Sequence, residues 1–306
     1  MDRPLLLVDT PSLYFRAYFG IPESAVKAPD GRPMNAVRGL LDMLAQLVRT
    51  RRPDRLICAF DHDWRPAWRV ALIDTYKKHR VAPAGGEVIP DNLAPQVPII
   101  LEALAAFGIP ALGAKDYEAD DVLGTLATTR PGPVEVVSGD RDLFQLIDDD
   151  KPIRLLYCGK GIANLDVCDD AFVQTKYGVK ASQYADFAAL RGDPSDGLPG
   201  VAGVGEKTAA RLITRYGSLA AIVDALDNPK ADFAPGLRAK LAAAADYLAV
   251  APEVVAVARD VDLPDVDATL PLDGPKDVEA LLKLAEAYNV ASAAKRLVDA
   301  IANVAR

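Results

Sequence analysis

LLLVD (Leu5–Asp9) is a continuous apolar run that ends in an acidic residue. Runs of this kind are typical of a strand that is buried on both faces of a parallel sheet. RLICAFD (Arg55–Asp61) and VEVVSGD (Val134–Asp140) have the same form, and IRLLY (Ile153–Tyr157) predicts a fourth strand. Because segments with helical spacing separate these runs, the sequence predicts an α/β fold with a mostly parallel sheet flanked by helices.

The chain changes character twice along its length. From His62 to Pro95 the periodic patterns weaken, and prolines and glycines predict an excursion from the core. From about Ser182 onward strand patterns nearly vanish and alanine-rich helical segments take over. We therefore expect an α/β domain over residues 1–181, followed by a helical region.

The composition is that of an ordinary globular protein, with half of the 306 residues apolar and a quarter charged. We expect neither a membrane helix nor a signal peptide, and three cysteines outside metal-binding spacing indicate a reducing cytoplasm. The net charge of −8 argues at first against a nucleic-acid partner. That sum hides basic clusters at residues 49–55 and 65–80, since the tail from Asp260 to Asp277 is strongly acidic.

KDYEADDVLGTLA (Lys115–Ala127) places Glu118, Asp120 and Asp121 directly before an apolar helical pattern. Acids in the first turn of a helix interact favourably with its dipole, which explains one or two of them. Three acids in one turn exceed that need. Their mutual repulsion indicates a compensating cation, so either a helix start or a metal site fits this stretch taken alone.

Further acids are expected to lie beside this helix. Three predicted strands end in an acid, and the carboxyl ends of parallel strands line one edge of a sheet, where ligands bind. The loop RGDPSDGLPG (Arg191–Gly200) adds two more acids. The full set is Asp9, Asp61, Glu118, Asp120, Asp121, Asp140, Asp142, Asp193 and Asp196.

So many carboxylates repel one another at short range unless cations lie among them. Oxygen ligands in a chain with only two histidines select Mg²⁺ or Mn²⁺. Two such ions roughly 4 Å apart activate a water and stabilise the leaving oxygen in phosphodiester hydrolysis. An acidic rim without metal is the simpler alternative.

GLPGVAGVGEKTAARLI (Gly197–Ile213) contains Gly200, Gly203 and Gly205, followed by Lys207. A dinucleotide-binding loop would need a preceding strand, whereas DFAALRG looks helical. We interpret the stretch as two helices joined by a tight turn whose backbone N–H groups hold a phosphate. An ordinary helix–turn–helix corner is the alternative.

WRVALIDTYKKHR (Trp68–Arg80) interleaves cations with aromatic residues. Arg69, Tyr76, Lys77 and Arg80 fit either a surface that grips a nucleic-acid backbone and stacks a base, or a solvated basic helix face.

The ordered motifs LLLVD, FRAYF, AFD, YKKHR, YEADDVLGTLA, SGDRDLFQL and RGDPSDGLPGVAGVGEKTAARL resemble the bacterial 5′-nucleases. These are the flap endonucleases and the 5′–3′ exonuclease domain of DNA polymerase I, and the resemblance covers nearly the whole chain. It implies a PIN-like twisted sheet in residues 1–181, with a helical arch around 65–95. It also implies a helix–hairpin–helix (H3TH) region at 182–260 and a C-terminal helical segment, 261–306, that packs back on the core.

The resemblance also implies roles for individual residues. The nine acids hold two or more Mg²⁺ or Mn²⁺ ions, with Asp193 and Asp196 supporting the second. Lys77 and Arg80 approach the scissile phosphate beside the catalytic Asp120, Arg16 lies near the cut, and K⁺ is a further expectation at the hairpin turn. The expected DNA contacts are Arg16, Arg69, Tyr76, Gly200, Gly203, Gly205 and Lys207.

The function that the resemblance implies is a structure-specific DNA 5′-nuclease, with exonuclease and flap endonuclease activity in primer removal and repair. Its expected partners are branched or nicked DNA with a free 5′ end and RNA-primer/DNA junctions, in a nucleoid-associated cytoplasmic setting. A PIN-type metal-dependent ribonuclease and a non-catalytic branched-DNA binding module are the alternatives. The sequence identifies no protein partner.

Overall fold

The centre of the molecule is a six-stranded sheet in a computed structural model that describes residues 3–304. Its spatial order is β3-β2-β1-β4-β5-β6, and every neighbouring pair is parallel except β5 and β6. The strands are β1 (Leu5–Asp9), β2 (Arg55–Ala59), β3 (Ala111–Leu112), β4 (Val134–Ser138), β5 (Ile153–Tyr157) and β6 (Asp166–Cys168). The predicted mostly parallel α/β fold is thereby confirmed.

Strand β1 lies between β2 and β4, with Leu5 paired to Arg55 on one side and to Val134 on the other. The chain adds β2 and β3 on one side of β1 and then returns to add β4 and β5 on the other. A crevice forms at such a reversal of strand order, at the carboxyl ends of the strands, and ligands bind there. The topology therefore places the ends of β1 and β4 side by side.

Thirteen α-helices lie within the described residues. They are α1 (Thr10–Gly20), α2 (Asn35–Arg51), α3 (Ala67–Leu72), α4 (Gln96–Phe107), α5 (Ala119–Thr129), α6 (Asp170–Tyr177), α7 (Tyr184–Arg191), α8 (Glu206–Tyr216), α9 (Leu219–Leu226), α10 (Leu237–Ala243), α11 (Ala245–Val255), α12 (Val278–Ala287) and α13 (Ala291–Ala302). Across residues 3–304, no helix combines the length and the apolar character that crossing a bilayer requires.

The two faces of the sheet are packed by different helices. Alternate residues of a strand point to opposite faces, so Leu5 and Leu7 join one core while Leu6 and Val8 join the other. The first core contains α5 and the helices from α6 to α11, and the second contains α1, α2 and α4. Helices α12 and α13 also pack into the second core, on α4 and α2 respectively.

The excursion over residues 62–95 differs from the expected helical arch. Only α3 and a single 3₁₀ turn at Lys78–Arg80 are helical between β2 and α4. Residues 81–95 form an irregular segment that contains Gly85 and Gly86, both with positive φ, and three prolines. These residues interrupt the helical hydrogen-bond pattern, so the prediction of a largely helical arch is wrong for this segment.

Helix α5 approaches the segment after α11 very closely at Gly124. A Cβ atom at this position would lie 2.6 Å from the carbonyl oxygen of Ala258 and 2.9 Å from Cγ2 of Val257. Real Cβ contacts are longer than this, so only glycine allows the two backbones to meet here.

Replacing Gly124 by Ala should therefore lower the free energy of unfolding by about 1–3 kcal/mol, because the added methyl group overpacks this contact. The matched control is Gly20→Ala at the end of α1, where a Cβ would meet no atom within 4 Å. Urea unfolding followed by circular dichroism measures both variants. Equal stability of Gly124→Ala and wild type would contradict the close approach.

Candidate active site

Asp9 stands at the reversal of strand order, as the last residue of β1 and the N-cap of α1. Its carboxylate accepts a hydrogen bond from the backbone N–H of Ser12 at 3.1 Å and another from the hydroxyl of Ser138 at the end of β4. Burial raises the pKa of Asp9 to about 7, although these hydrogen bonds oppose the rise. The hydrogen bonds thus fix the Asp9 carboxylate at a buried position where the ionised form is disfavoured.

Helix α5 is docked onto the same edge by Asp61, which lies two residues past β2. The Asp61 carboxylate accepts a hydrogen bond from the backbone N–H of Ala119 at 2.8 Å, at the first residue of the helix. This contact brings Glu118 and Asp120 to the strand ends. A cleft of about 280 Å³ results, and the charged residues that line it are Asp9, Arg16, Asp61, Lys77, Arg80, Glu87, Glu118, Asp120 and Asp140.

A second group of acids adjoins Asp140. The Asp140 carboxylate accepts a hydrogen bond from the backbone N–H of Asp142 at 2.8 Å. Asp193 is held by the backbone N–H of Ser195 at 2.8 Å and by Arg191 at 3.2 Å. Oδ1 of Asp142 is buried and has no hydrogen-bond partner among the described residues. A buried acceptor without a partner indicates that a cation or water completes this group.

The acids in the cleft resist ionisation. Burial raises the pKa of Asp120 well above 3.8, and the neighbouring charges of Asp140 and Asp9 raise it further. Burial and the charges of Asp140, Asp196 and Asp193 act in the same way on Asp142. Ionising the whole set therefore costs free energy that nearby positive charge must offset.

Two cations from the 77–80 turn already contact these acids. The ammonium group of Lys77 pairs with Oε1 of Glu118. Arg80 donates to Oδ1 of Asp196 at 2.9 Å and to the carbonyl oxygen of Ser195 at 2.7 Å. Within residues 3–304, no three carboxylate, imidazole or thiol groups converge closely enough to coordinate one ion as the side chains stand.

The donor set nevertheless fits divalent cations. Every candidate ligand is a carboxylate, and Mg²⁺ and Mn²⁺ prefer oxygen ligands. The raised pKa values of Asp120 and Asp142 and the unpartnered Oδ1 of Asp142 indicate a deficit of positive charge.

The structure corrects the role predicted for Asp121. This carboxylate is fully buried and points away from the cleft. It accepts hydrogen bonds from Arg69 at 2.6 and 2.8 Å and from the backbone N–H groups of Glu118 and Ala258 at 3.1 and 2.8 Å. Its oxygens are therefore committed to a helix cap and a buried ion pair, so Asp121 is not placed to ligate a metal.

Arg69 and Tyr76, which were expected to contact DNA, also lie in the core. Their exposed fractions are 3% and 4%. Arg69 pairs with Glu118 and Asp121 and donates to the carbonyl oxygens of Val254 and Ala256. The Tyr76 hydroxyl donates to Oε2 of Glu118 at 2.6 Å. Neither side chain has a free face for a nucleic acid, because the acids of α5 and the end of α11 enclose them.

The predicted glycine hairpin lies between α7 and α8. Gly200 and Gly203 have φ values of 64° and 71°, where side chains are disfavoured. A Cβ at Gly200 would lie 2.5 Å from the backbone nitrogen of Gly192. Gly205 is the N-cap of α8, and Lys207 is exposed in its first turn. The turn thus joins two helices, and its backbone geometry requires glycine.

Several residues of the cleft are not among those that the sequence predicts. Ser138 fixes Asp9, and its position at the end of VEVVS was a usable signal. Glu87 and Phe15 line the cleft, and no pattern in the irregular 81–95 segment indicates Glu87. Arg16 does line the cleft as expected, and its buried Nε has no partner among the described residues.

Comparison with known proteins gives matches over almost the whole chain. The family model for the 5′–3′ exonuclease N-terminal resolvase-like domain matches residues 4–178, and that for the 5′–3′ exonuclease C-terminal SAM fold matches residues 179–278. A 5′–3′ exonuclease of Streptomyces coelicolor is 54% identical, over 97% of this chain and 99% of the relative. One of Mycobacterium tuberculosis is 50% identical, over 98% of both chains.

A solved structure has a similar fold. It is the bacteriophage T5 D15 flap endonuclease in a pseudo-enzyme–product complex with DNA and metal ions, with a TM-score of 0.64, 16% identity and 99% of both chains covered. The fold, the acidic cleft and the curated relatives together define a 5′ nuclease. More narrowly, the chain belongs to the 5′–3′ exonuclease family. The resemblance identified from the sequence motifs is thereby confirmed.

Because Arg69 is buried, we expect its replacement to lower stability, whereas a DNA-contact role would predict a loss of duplex binding instead. Arg69→Met should lower the free energy of unfolding by about 3–5 kcal/mol, because it leaves two buried carboxylates without their partner. Lys78→Met, which removes an exposed cation 3.9 Å from Asp74, is the matched control and should change stability little. Urea unfolding measures both. If Arg69→Met has unchanged stability but loses duplex binding, Arg69 contacts DNA as the sequence motifs implied.

Proposed function

We propose that this nuclease cuts branched or nicked DNA at free 5′ ends and 5′ flaps, including RNA-primer/DNA junctions, in a nucleoid-associated setting. The observation that carries the proposal is the cleft in which Asp9, Asp61, Asp120 and Asp140 meet at the reversal of strand order. The glycine hairpin between α7 and α8 supports a duplex substrate. The presence of DNA and metal ions in the T5 D15 complex supports the same chemistry.

The acids divide into two candidate metal groups that share Asp140. The residues that would hold the first ion are Asp9, Asp61, Glu118, Asp120 and Asp140, and those that would hold the second are Asp140, Asp142, Asp193 and Asp196. Bound Mg²⁺ or Mn²⁺ supplies a water of lowered pKa and neutralises charge on the phosphate. Shared use of Asp140 follows from its hydrogen bond to the backbone of Asp142.

The cations of the cleft act on the phosphodiester. Lys77 and Arg80 lie on one wall of the cleft, and Arg16 lies near Asp9. An ammonium or guanidinium group in this position stabilises the negative charge that builds on the phosphate during attack. Ser138 and Ser12 hold Asp9 so that it does not turn away. The expected products carry a 5′-phosphate and a 3′-hydroxyl.

The hairpin holds the duplex by its backbone. Free N–H groups in the turn at Gly200–Gly205 bind phosphate oxygens, and Lys207 adds a positive charge at the start of α8. Such contacts position the duplex without reading its sequence. A K⁺ ion at the turn is a further part of this proposal, since carbonyl oxygens of a tight turn suit a monovalent cation.

The test is cleavage of a labelled 5′-flap duplex and of a single-stranded RNA, each with Mg²⁺, Mn²⁺ or EDTA. Wild type should cut the flap duplex in either metal and should not cut in EDTA. Asp120→Asn should lower the rate by roughly 10²-fold or more, because it removes charge at the reacting centre, while duplex binding persists.

Asp150→Asn, on an exposed turn outside the cleft, is the matched control and should cut like wild type. Cleavage of RNA alone would favour the ribonuclease alternative. Tight binding of the flap duplex without cutting in any metal would indicate a binding module that lacks chemistry.

The hairpin generates a separate prediction. Gly203→Val should weaken duplex affinity roughly tenfold, because a branched side chain at φ 71° distorts the turn and removes about two phosphate hydrogen bonds. Gly274→Val imposes a side chain at another positive φ, 129°, far along the chain from the hairpin, and controls for strain alone. Fluorescence anisotropy with a duplex measures both. Unchanged affinity of Gly203→Val would show that the hairpin lies off the DNA path.

A further inference from the structure

The two oxygens of Glu118 have different partners. Oε2 accepts hydrogen bonds from Arg69 and from the Tyr76 hydroxyl, each at 2.6 Å, and both donors are almost completely buried. Oε1 contacts only the Lys77 ammonium group among the described residues. The buried pair therefore fixes the carboxylate, and Lys77, which lines the cleft, is the partner of the other oxygen.

Lys77 is the third side chain that contacts Glu118. It belongs to the turn before Arg80, with a left-handed backbone at φ 46°. Its backbone N–H donates to the carbonyl oxygen of Asp196 at 2.9 Å, and Arg80 binds the Asp196 carboxylate. One short turn thus supplies a cation to each of the two acid groups proposed to hold metal.

A divalent ion and an ammonium group compete for one carboxylate oxygen, because two cations at contact distance repel each other strongly. Within residues 3–304, with Lys77 paired to Glu118 and Arg80 paired to Asp196, no three potential ligand side chains converge on one point. Oε1 is the oxygen that a metal would need, because Oε2 already accepts hydrogen bonds from Arg69 and Tyr76.

We propose that Lys77 is an internal counter-ion that occupies Oε1 of Glu118 and that the first divalent ion to bind displaces it. Arg69 and Tyr76 keep Oε2 occupied throughout, so Glu118 offers one oxygen only. Displacement frees the Lys77 ammonium group within the cleft, where a phosphate can take it as a partner. Metal binding and release of the Lys77–Glu118 contact are therefore coupled, and each favours the other. This inference rests on the proposed metal-dependent function.

The test is Mg²⁺ binding by calorimetry, with no substrate present, to wild type, Lys77→Met and Lys78→Met. Lys77→Met should bind the first ion about tenfold more tightly, because no side chain competes for Oε1, which corresponds to about 1.4 kcal/mol. Lys78→Met changes the net charge equally one residue away, on an exposed side chain, and should bind like wild type.

Thermal unfolding supplies a second measurement. Lys77→Met should unfold at a lower temperature than wild type in EDTA, because Glu118 loses a partner, and saturating Mg²⁺ should remove that difference. If Lys77→Met does not fold, Lys77→Gln should show the same tighter Mg²⁺ binding and the same lower unfolding temperature in EDTA. Equal or weaker binding by the variant, or an unfolding difference that persists in Mg²⁺, overturns the counter-ion role alone. Absence of Mg²⁺ binding by every protein, wild type included, overturns the proposed metal-dependent function as well.

Discussion

Repulsion among carboxylates at one sheet edge is the constraint on which the rest of this structure depends. The strand order puts β1 between β2 and β4, so acids far apart in sequence have to share one small cleft. Their raised pKa values show the free-energy cost of that arrangement. The protein offsets part of this cost with Lys77 and Arg80. Bound divalent cations would add positive charge in the same place, where the proposed cleavage of a phosphodiester needs it.

The YEADD motif shows how one helix start serves two purposes. Glu118 and Asp120 face the cleft, whereas Asp121 faces the opposite way and binds Arg69 in the core. The side chain of Asp121 also accepts from the backbone N–H of Glu118, so it holds the first turn of α5 in shape. A buried ion pair of this kind contributes little net stability but is costly to break. Its value here is geometric, because it fixes the carboxylate that the cleft uses.

Much of the fold was predictable because it depends on local patterns. LLLVD, RLICAFD, VEVVSGD and IRLLY each became a strand, and the change to helices near Ser182 follows from composition. The two- and three-residue strands β3 and β6 are too short to carry a periodic signal. Asn35 is a residue type that favours helix caps, yet it is the first residue of α2 and donates to the carbonyl oxygens of Tyr18 and Ile21. That choice depends on tertiary contacts.

The candidate site likewise contains residues that local patterns predict and residues whose positions depend on distant contacts. Acids at strand ends are placed by topology, so Asp9, Asp61 and Asp140 were predictable. The roles of the cations in the basic stretch Trp68–Arg80 were not predictable, because a solvated arginine and a buried one look alike in sequence. Arg69 is buried only because Glu118 and Asp121 arrive beside it from a distant segment. Its neighbours Lys77 and Arg80 stay at the cleft because they pair with acids on its rim. Partners that lie far away in sequence therefore decide which cations of one short segment support the core and which line the cleft.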